Sequence, residues 1–438
     1  MRPWVMVQFL PMREYIRRGT LYFRRLIIPA AICLLMLASL GGSKPLPPLT
    51  VSQKAEVFTQ GIGFDYINWT LDALLVKLFD FSLGASAYMT PEGRHRLVLA
   101  YMDLVQQIQS AERSVRAAFA DPNVADPQSA TASTRVSLEA LYEQRDRIAP
   151  MAENILQSQL NSIVDDMGLV VGGQSIPPVL YHTTPLPLQL IISPRNIIRR
   201  DADISLTPGL TVDQQVALEE RVDKALDVSS LVVRIGGVGV YPTMVGETSS
   251  IEWLSEVIAH EWIHNFLTLR PLGMSYLDTP ELRTMNETTA SIAGIEIGRA
   301  LLERYYPEMV PPPPPAGLTS PIPGSEPAAF NFNKEMHTTR VKVDQLLAEG
   351  KIEVAEAYME QRRQLFWENG YSIRKLNQAY FAFHGAYADE PLGPAGEDPV
   401  GAAVRALRAQ SPSLAQFLNQ IAQMTSFEQL KQAVEDKG

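Results

Sequence analysis

The most informative segment of the chain reads VIAHEWIHN, from Val257 to Asn265. If this segment is helical, positions i and i+4 lie on one face, so the imidazoles of His260 and His264 can reach a single metal ion. Glu261 follows about 100° around the helix, beside such an ion and not on it. That position suits a general base that takes a proton from water activated at the metal. The spacing therefore predicts a metal-binding helix that carries its own catalytic carboxylate.

A third ligand is expected on the next helix. Arg270 stands ten residues after His260, so a pattern of three histidines is excluded. Glu287 lies 23 residues after His264, within the sequence NETTA, on a helix predicted over 280–306. Two histidines and one glutamate leave the fourth tetrahedral position of a zinc ion open for water, as a catalytic site requires.

These motifs resemble those of the gluzincin metallopeptidases, which include thermolysin-like and aminopeptidase-like zinc enzymes. In that group a glutamate on a following helix, often in an Asn-Glu-x-x-small context, is the third zinc ligand, and residues 286–290 match this pattern. The resemblance implies that His260, His264 and Glu287 bind Zn²⁺. It also implies that Glu261 is first the general base and then the proton donor in hydrolysis of a peptide or protein substrate.

The resemblance covers about 231–300 and departs from the thermolysin-like pattern at Ser291, where those enzymes carry an aspartate. It implies an α+β fold, in which a small mixed sheet beside the metal-bearing helices forms a zincin-like catalytic core over 186–306. Two other functions stay open. One is a catalytically inactive zincin-like binding module, and the other is a metal-assisted hydrolase of a non-peptide bond.

Upstream of the motif, residues 231–242 read LVVRIGGVGVYP and predict an edge strand whose glycines permit close backbone approach. In zincins such a strand lies above the metal and pairs with an extended peptide. A nucleotide-binding glycine loop is disfavoured, because Tyr241 and Pro242 stand where a helix would have to begin. An ordinary kinked strand with no role in substrate binding is the alternative.

A donor for the oxyanion of the tetrahedral intermediate is expected in the aromatic segment 371–387. Tyr380, His384 and Tyr387 recur there at helical spacing, so they can face one way. His384 and Tyr387 are favoured because they flank Gly385, where a helix would end and side chains can turn toward a cleft. An aromatic core face with a buried histidine is the alternative.

Composition excludes several classes of function. The chain has 438 residues, of which 46% are hydrophobic and 20% charged, as in folded globular proteins. The net charge is −10, and an acidic surface does not suit nucleic acid, whose phosphates need a basic face. Cys33 is the only cysteine, which excludes disulfides and cysteine-ligated metals. The oligomeric state is left open.

The amino-terminal residues predict export. Residues 1–25 contain six arginines and one glutamate, and residues 26–42 contain no charge. A basic flank before an apolar stretch predicts a cytoplasmic segment followed by a transmembrane anchor or a signal sequence. The expected location is the cell membrane, single-pass with the catalytic part outside the cytoplasm, or the exterior if the apolar segment is cleaved.

The remaining organisation follows from periodicity and composition. Residues 43–185 are predicted to be mainly helical because apolar residues recur at three- and four-residue spacing. After the catalytic core, residues 307–333 contain a run of five prolines and predict an exposed surface insert. Residues 334–438 are predicted to form a helical carboxy-terminal region, with a helical hairpin over 334–368 bent near Gly350 and helices over 399–408 and 412–435.

Overall fold

The computed structural model describes residues 50–83, 88–120, 124–170, 174–311, 330–385 and 398–436. The helices in these residues are, in chain order, α1 Val51–Glu56, α2 Tyr66–Leu83, α3 Pro91–Ala120, α4 Pro127–Ala130, α5 Ala132–Asp166, α6 Val212–Leu226, α7 Ile251–Leu267, α8 Pro271–Met274, α9 Pro280–Tyr305, α10 Phe332–Ala348, α11 Ile352–Glu368, α12 Gln378–His384, α13 Pro399–Ala409, α14 Leu414–Ile421 and α15 Phe427–Glu435. The strands are β1 Tyr181–Thr183, β2 Leu188–Pro194, β3 Ala202–Leu206, β4 Val228–Arg234, β5 Gly237–Val238 and β6 Thr243–Val245.

The fold is mainly helical, and the predicted α+β class is therefore wrong. The described strands form only two three-stranded sheets, with the strand orders β1-β6-β5 and β3-β2-β4. The sequence predicts one edge strand over 231–242, but the structure divides this stretch into the end of β4 and the short β5, and β6 begins directly after it. Glycine and proline account for these breaks, because glycine weakens a strand interior and proline cannot donate to the ladder.

The short sheet places β5 at its edge, as the sequence predicted. β6 pairs with β1 in parallel and with β5 in antiparallel fashion, so among the described strands β5 has a partner on one side only. In the other sheet, β2 lies between β3 and β4 and pairs antiparallel with both.

The two helices predicted to carry the metal ligands pack closely against each other. A Cβ atom added at Gly294 of α9 would lie 2.9 Å from the backbone oxygen of Glu256 in α7, and one added at Gly298 would lie 2.8 Å from the Glu256 Cγ atom. Any side chain larger than hydrogen would therefore push the helices apart. This approach brings the residues of α9 within reach of the side chains of α7.

Local sequence determines where these helices begin. The Ser250 side chain accepts a hydrogen bond from the backbone N–H of Trp253 (3.2 Å) and so caps α7. Ser249 and Glu252 have the spacing of a capping box, which predicts a cap at Ser249, but the helix starts one residue later. Thr279 caps α9, and its Pro280 suits the first turn because that position needs no N–H donor.

The main hydrophobic core surrounds α7 and α9. It contains residues of α3, α5, α7, α9 and the helices α13–α15. Trp262 of α7 is among the largest fully buried side chains, and its indole N–H donates to the Pro177 carbonyl oxygen at 2.8 Å. The apolar face of α7 is thereby fixed in the core, while its opposite face carries His260 and His264.

The prediction of a single-pass membrane protein is contradicted. Among the described residues, no helix combines the length and the apolar character needed to cross a membrane. The helices α3, α5 and α9 are long, but charged residues recur along each of them. The predicted segments 1–25 and 26–42 lie outside the described residues, as do residues 312–329 of the proline-rich insert.

Candidate metal centre

Two histidines of α7 and one glutamate of α9 converge at one point. The Nε2 atoms of His260 and His264 lie 3.2 Å apart, and each lies 3.6 Å from Oε2 of Glu287. A tetrahedral zinc ion with bonds of about 2.0–2.1 Å separates its ligand atoms by roughly 3.3 Å. The three atoms are thus spaced as ligands of one metal ion, and the group could hold one.

The two oxygens of the Glu287 carboxylate have different environments, which orient the group. Oε1 accepts a hydrogen bond from the Tyr276 hydroxyl, whereas Oε2 is buried and has no hydrogen-bond partner among the described residues. A buried carboxylate oxygen without a donor is costly, and a cation between it and the histidines would satisfy it. Burial alone would raise the pKa of Glu287, but His264 and His260 hold that pKa well below its usual range.

Asn286 fixes the orientation of the His264 ring. His264 Nδ1–H donates to the side-chain oxygen of Asn286 at 2.8 Å, which turns Nε2 toward Glu287. Burial would lower the pKa of His264, yet the Glu287 carboxylate outweighs it and raises the pKa to about 9. A proton on His264 thus supplies positive charge where a metal ion would supply it, so proton and metal compete for this site.

Glu261 lies beside this group with its carboxyl buried. Burial raises its pKa, an effect that His260 and His264 partly oppose. A carboxylate with a raised pKa is a stronger base near neutral pH, as general-base catalysis requires.

Gly237 and Gly239, in the predicted edge strand 231–242, let the backbone approach Glu261 and His264 closely. A Cβ added at Gly237 would lie 2.7 Å from Cγ of Glu261, and one added at Gly239 would lie 3.0 Å from Cβ of His264. Gly237 and Gly239 therefore lie directly over the site, at positions that leave no room for a side chain. His260, Glu261, His264 and Glu287 line one cavity of 420 Å³ beneath this segment.

Of the predicted oxyanion donors, Tyr380 and His384 do not line this cavity. The rings of Tyr380 and His384 in α12 lie 4.3 Å apart, and the neighbouring Phe383 lines the cavity instead. Burial lowers the pKa of His384 to about 4 and raises that of Tyr380 to about 12. Tyr387 lies outside the described residues. The role of all three in catalysis stays a prediction.

Two residues beside the ligands gave no signal in the sequence. Tyr276 and Arg200 come from connecting segments, where no helical or strand periodicity exists to place them. An Arg200 Nη2–H donates to the Tyr276 hydroxyl at 3.0 Å, and that hydroxyl donates to Glu287. Burial and the Glu287 carboxylate both raise the pKa of Tyr276, which keeps the hydroxyl protonated as a donor.

A larger cavity, of 650 Å³, lies beside the metal-binding group and not at it. The Glu153 carboxylate in its wall accepts hydrogen bonds from the Lys77 ammonium, the backbone N–H of Thr183 and the His182 ring. These charges neutralise each other. Within the described ranges, only His260, His264 and Glu287 bring three metal-ligand atoms together.

Comparison of the chain with protein-family models, with curated proteins and with solved structures finds no significant match.

Proposed function

We propose that the protein is a zinc-dependent metallopeptidase. The observation that carries the proposal is the triangle formed by the Nε2 atoms of His260 and His264 and Oε2 of Glu287, with sides of 3.2, 3.6 and 3.6 Å. Nitrogen and carboxylate ligands in a two-histidine, one-glutamate set favour zinc and leave a fourth position for catalysis. The buried Oε2 of Glu287, which has no hydrogen-bond donor in the described part of the chain, supports a cation at this point.

The chain's own residues supply the proton transfers. A zinc ion held by this set would polarise the substrate carbonyl and lower the pKa of water. Glu261 lies within the same cavity, and its raised pKa suits a base that takes a proton from water and passes it to the leaving amine. Tyr276 and Asn286 keep Glu287 and His264 in their binding orientations.

The edge strand favours a peptide as the substrate. β5 has no second partner among the described strands, and its Gly237 lies against Glu261. An extended peptide can add to such an edge through backbone hydrogen bonds, and these would hold a scissile bond next to the base. A substrate without a peptide backbone would make no use of that edge.

Zinc content and peptide cleavage test the proposal together. The purified full-length chain is expected to contain about one zinc ion and to cleave members of a peptide library. Glu287→Ala should reduce zinc occupancy by an order of magnitude or more, because a ligand is lost. Glu281→Ala is the matched control, since Glu281 is exposed in the first turn of the same helix.

Equal zinc content in the two variants would exclude Glu287 as a ligand. Retention of zinc by the unmodified chain without cleavage of any peptide would instead favour the inactive binding module.

A further inference from the structure

The proposed metal ligands lie in the middle of a groove along α7. A cavity of 410 Å³ extends from His260 toward the beginning of the helix, where Val257, Glu256 and Trp253 line it. The cavity of 420 Å³ extends the other way, along His264 to Thr268. Both are lined by His260, Glu261, Gly237, Ile235 and Phe383, so they meet at the catalytic residues.

The groove has room for several residues on each side of the metal ligands. With a rise of 1.5 Å per residue, Trp253 lies about 10 Å before His260 along the helix axis, and Thr268 lies about 12 Å after it. An extended peptide advances about 3.3 Å per residue. Each arm of the groove therefore accommodates roughly three residues of a substrate.

One backbone segment forms a wall of both arms. Gly236 and Gly237 line the first cavity, and residues 237–240 line the second. A peptide that pairs with this segment would follow it past Glu261 without a break. Substrate residues on both sides of the scissile bond can therefore pair with this segment.

Outside the proposed ligands and Glu261, neither arm has an excess of one charge among its described lining residues. An exopeptidase needs an excess carboxylate to bind a terminal ammonium, or an excess cation to bind a terminal carboxylate. Apart from the proposed ligands and Glu261, the described lining residues of each arm include one basic and one acidic side chain. These are Arg234 and Glu256 in the first arm, and Arg200 and Asp203 in the second. Arg200 Nη1 lies 3.6 Å from the Asp203 carboxylate, so the second pair is mutually neutralised.

From these observations we infer that the protein is an endopeptidase that binds about six residues of an extended polypeptide and cleaves an internal bond. The inference rests on the proposed peptidase function. In the step itself, water supplies a hydroxyl group to the carbonyl carbon, the C–N bond breaks, and the proton taken up by Glu261 goes to the leaving nitrogen.

Peptides with blocked and free ends provide the test. A decapeptide chosen from the library would be prepared in one form with an acetylated amino terminus and an amidated carboxy terminus, and in another with both ends free. The products would be identified by mass spectrometry. An endopeptidase is expected to cut both forms at the same internal bond, with kcat/KM values within about threefold of each other.

Resistance of the blocked form, together with stepwise removal of single residues from the free form, would overturn the inference while leaving the peptidase function intact. Cleavage of neither form, nor of any other library peptide, would instead refute the proposed function.

A length series with a variant tests the use of both arms. Lengthening a blocked peptide by one residue at a time should raise kcat/KM on each side of the cut until about three residues are present. In Trp253→Ala the gain in kcat/KM should be at least tenfold smaller on one side of the cut and unchanged on the other, because Trp253 lines the first arm and is 38% exposed. Trp367→Ala is the matched control, because this tryptophan of α11 is 62% exposed and lies outside both lining sets.

A gain on one side alone in the unmodified protein would show that only one arm binds substrate, and that result would also overturn the inference. Equal losses from Trp253→Ala and Trp367→Ala would remove the first arm from the binding site.

Discussion

Replacement of Gly237 by alanine is expected to disable Glu261 without altering a metal ligand. The added Cβ atom would lie 2.7 Å from Cγ of Glu261, 2.9 Å from its Oε1 and 3.0 Å from a methyl carbon of Val257. Ordinary carbon–carbon contacts are about 3.5–4.0 Å, so the strand or the Glu261 side chain must move by about 1 Å. A misplacement of that size in a catalytic group lowers the rate by about 10²-fold.

The assay combines three measurements on Gly237→Ala: kcat on a cleaved peptide, zinc content and the melting temperature. We expect kcat to fall about 10²-fold while the zinc content stays at the unmodified level, because the three atoms nearest to the added Cβ belong to Glu261 and Val257 and not to a proposed ligand. Overpacking should also reduce the free energy of unfolding by about 1–3 kcal/mol. Gly209→Ala is the control, since a Cβ there would meet nothing within 4 Å. An unchanged kcat in Gly237→Ala, or an equal loss in Gly209→Ala, would refute this account of the edge segment.

Two further predictions concern Tyr276, which contacts Glu287, and the buried imidazole of His384 in α12. Tyr276→Phe removes the hydroxyl that donates to Glu287 and should weaken zinc binding about 10–100-fold in a competition titration. Tyr371→Phe, at a partly exposed tyrosine, is the control and should leave the zinc affinity unchanged. Equal zinc affinities of the two variants would exclude a positioning role for Tyr276. The native state disfavours protonation of His384, whose pKa burial lowers from 6.5 to about 4, so the free energy of unfolding should fall by about 3 kcal/mol as the pH drops from 6.5 to 4. His384→Asn should abolish that part of the acid sensitivity in urea titrations, and an unchanged pH profile would contradict burial of a neutral imidazole.

The helices of this protein were largely predictable because their signals are local. Thr211 and Gln214 have the three-residue spacing of a capping box, and that box is present at the start of α6. The helical hairpin predicted over 334–368 appears as α10 and α11, with Gly350 between them at a φ of +72°. Glycine tolerates this left-handed conformation, which explains the turn. The helix predicted over 412–435 was wrong in one respect, because the structure divides it into α14 and α15.

The candidate site was only partly predictable. The spacing of His260 and His264 determines which face of a helix they share, and this needs no tertiary information. The position of Glu287 beside them depends on the close packing of α7 and α9, which Gly294 and Gly298 of α9 permit. Tyr276 and Arg200 reach the ligands through contacts between segments distant in sequence. No periodicity encodes such contacts, and only the structure reveals them.

The fold class was mispredicted for a related reason. The resemblance over 231–300 implied a small mixed sheet beside the metal-bearing helices, but strand length depends on ladder partners that a single segment does not specify. Here the ladders are short, and the helices on either side supply most of the core.

Zinc-loaded Glu261→Gln tests most directly whether Glu261 is the general base of a zinc peptidase. Glutamine keeps the shape of glutamate but cannot take a proton, and general-base assistance contributes about 10²–10⁴-fold to the rate. We expect this variant to bind one zinc ion with unchanged affinity, to melt within a few degrees of the unmodified protein and to cleave a library peptide at least 10²-fold more slowly. Glu252→Gln, in the first turn of the same helix, should retain full activity. Undiminished peptide cleavage by zinc-loaded Glu261→Gln would show that Glu261 is not the general base.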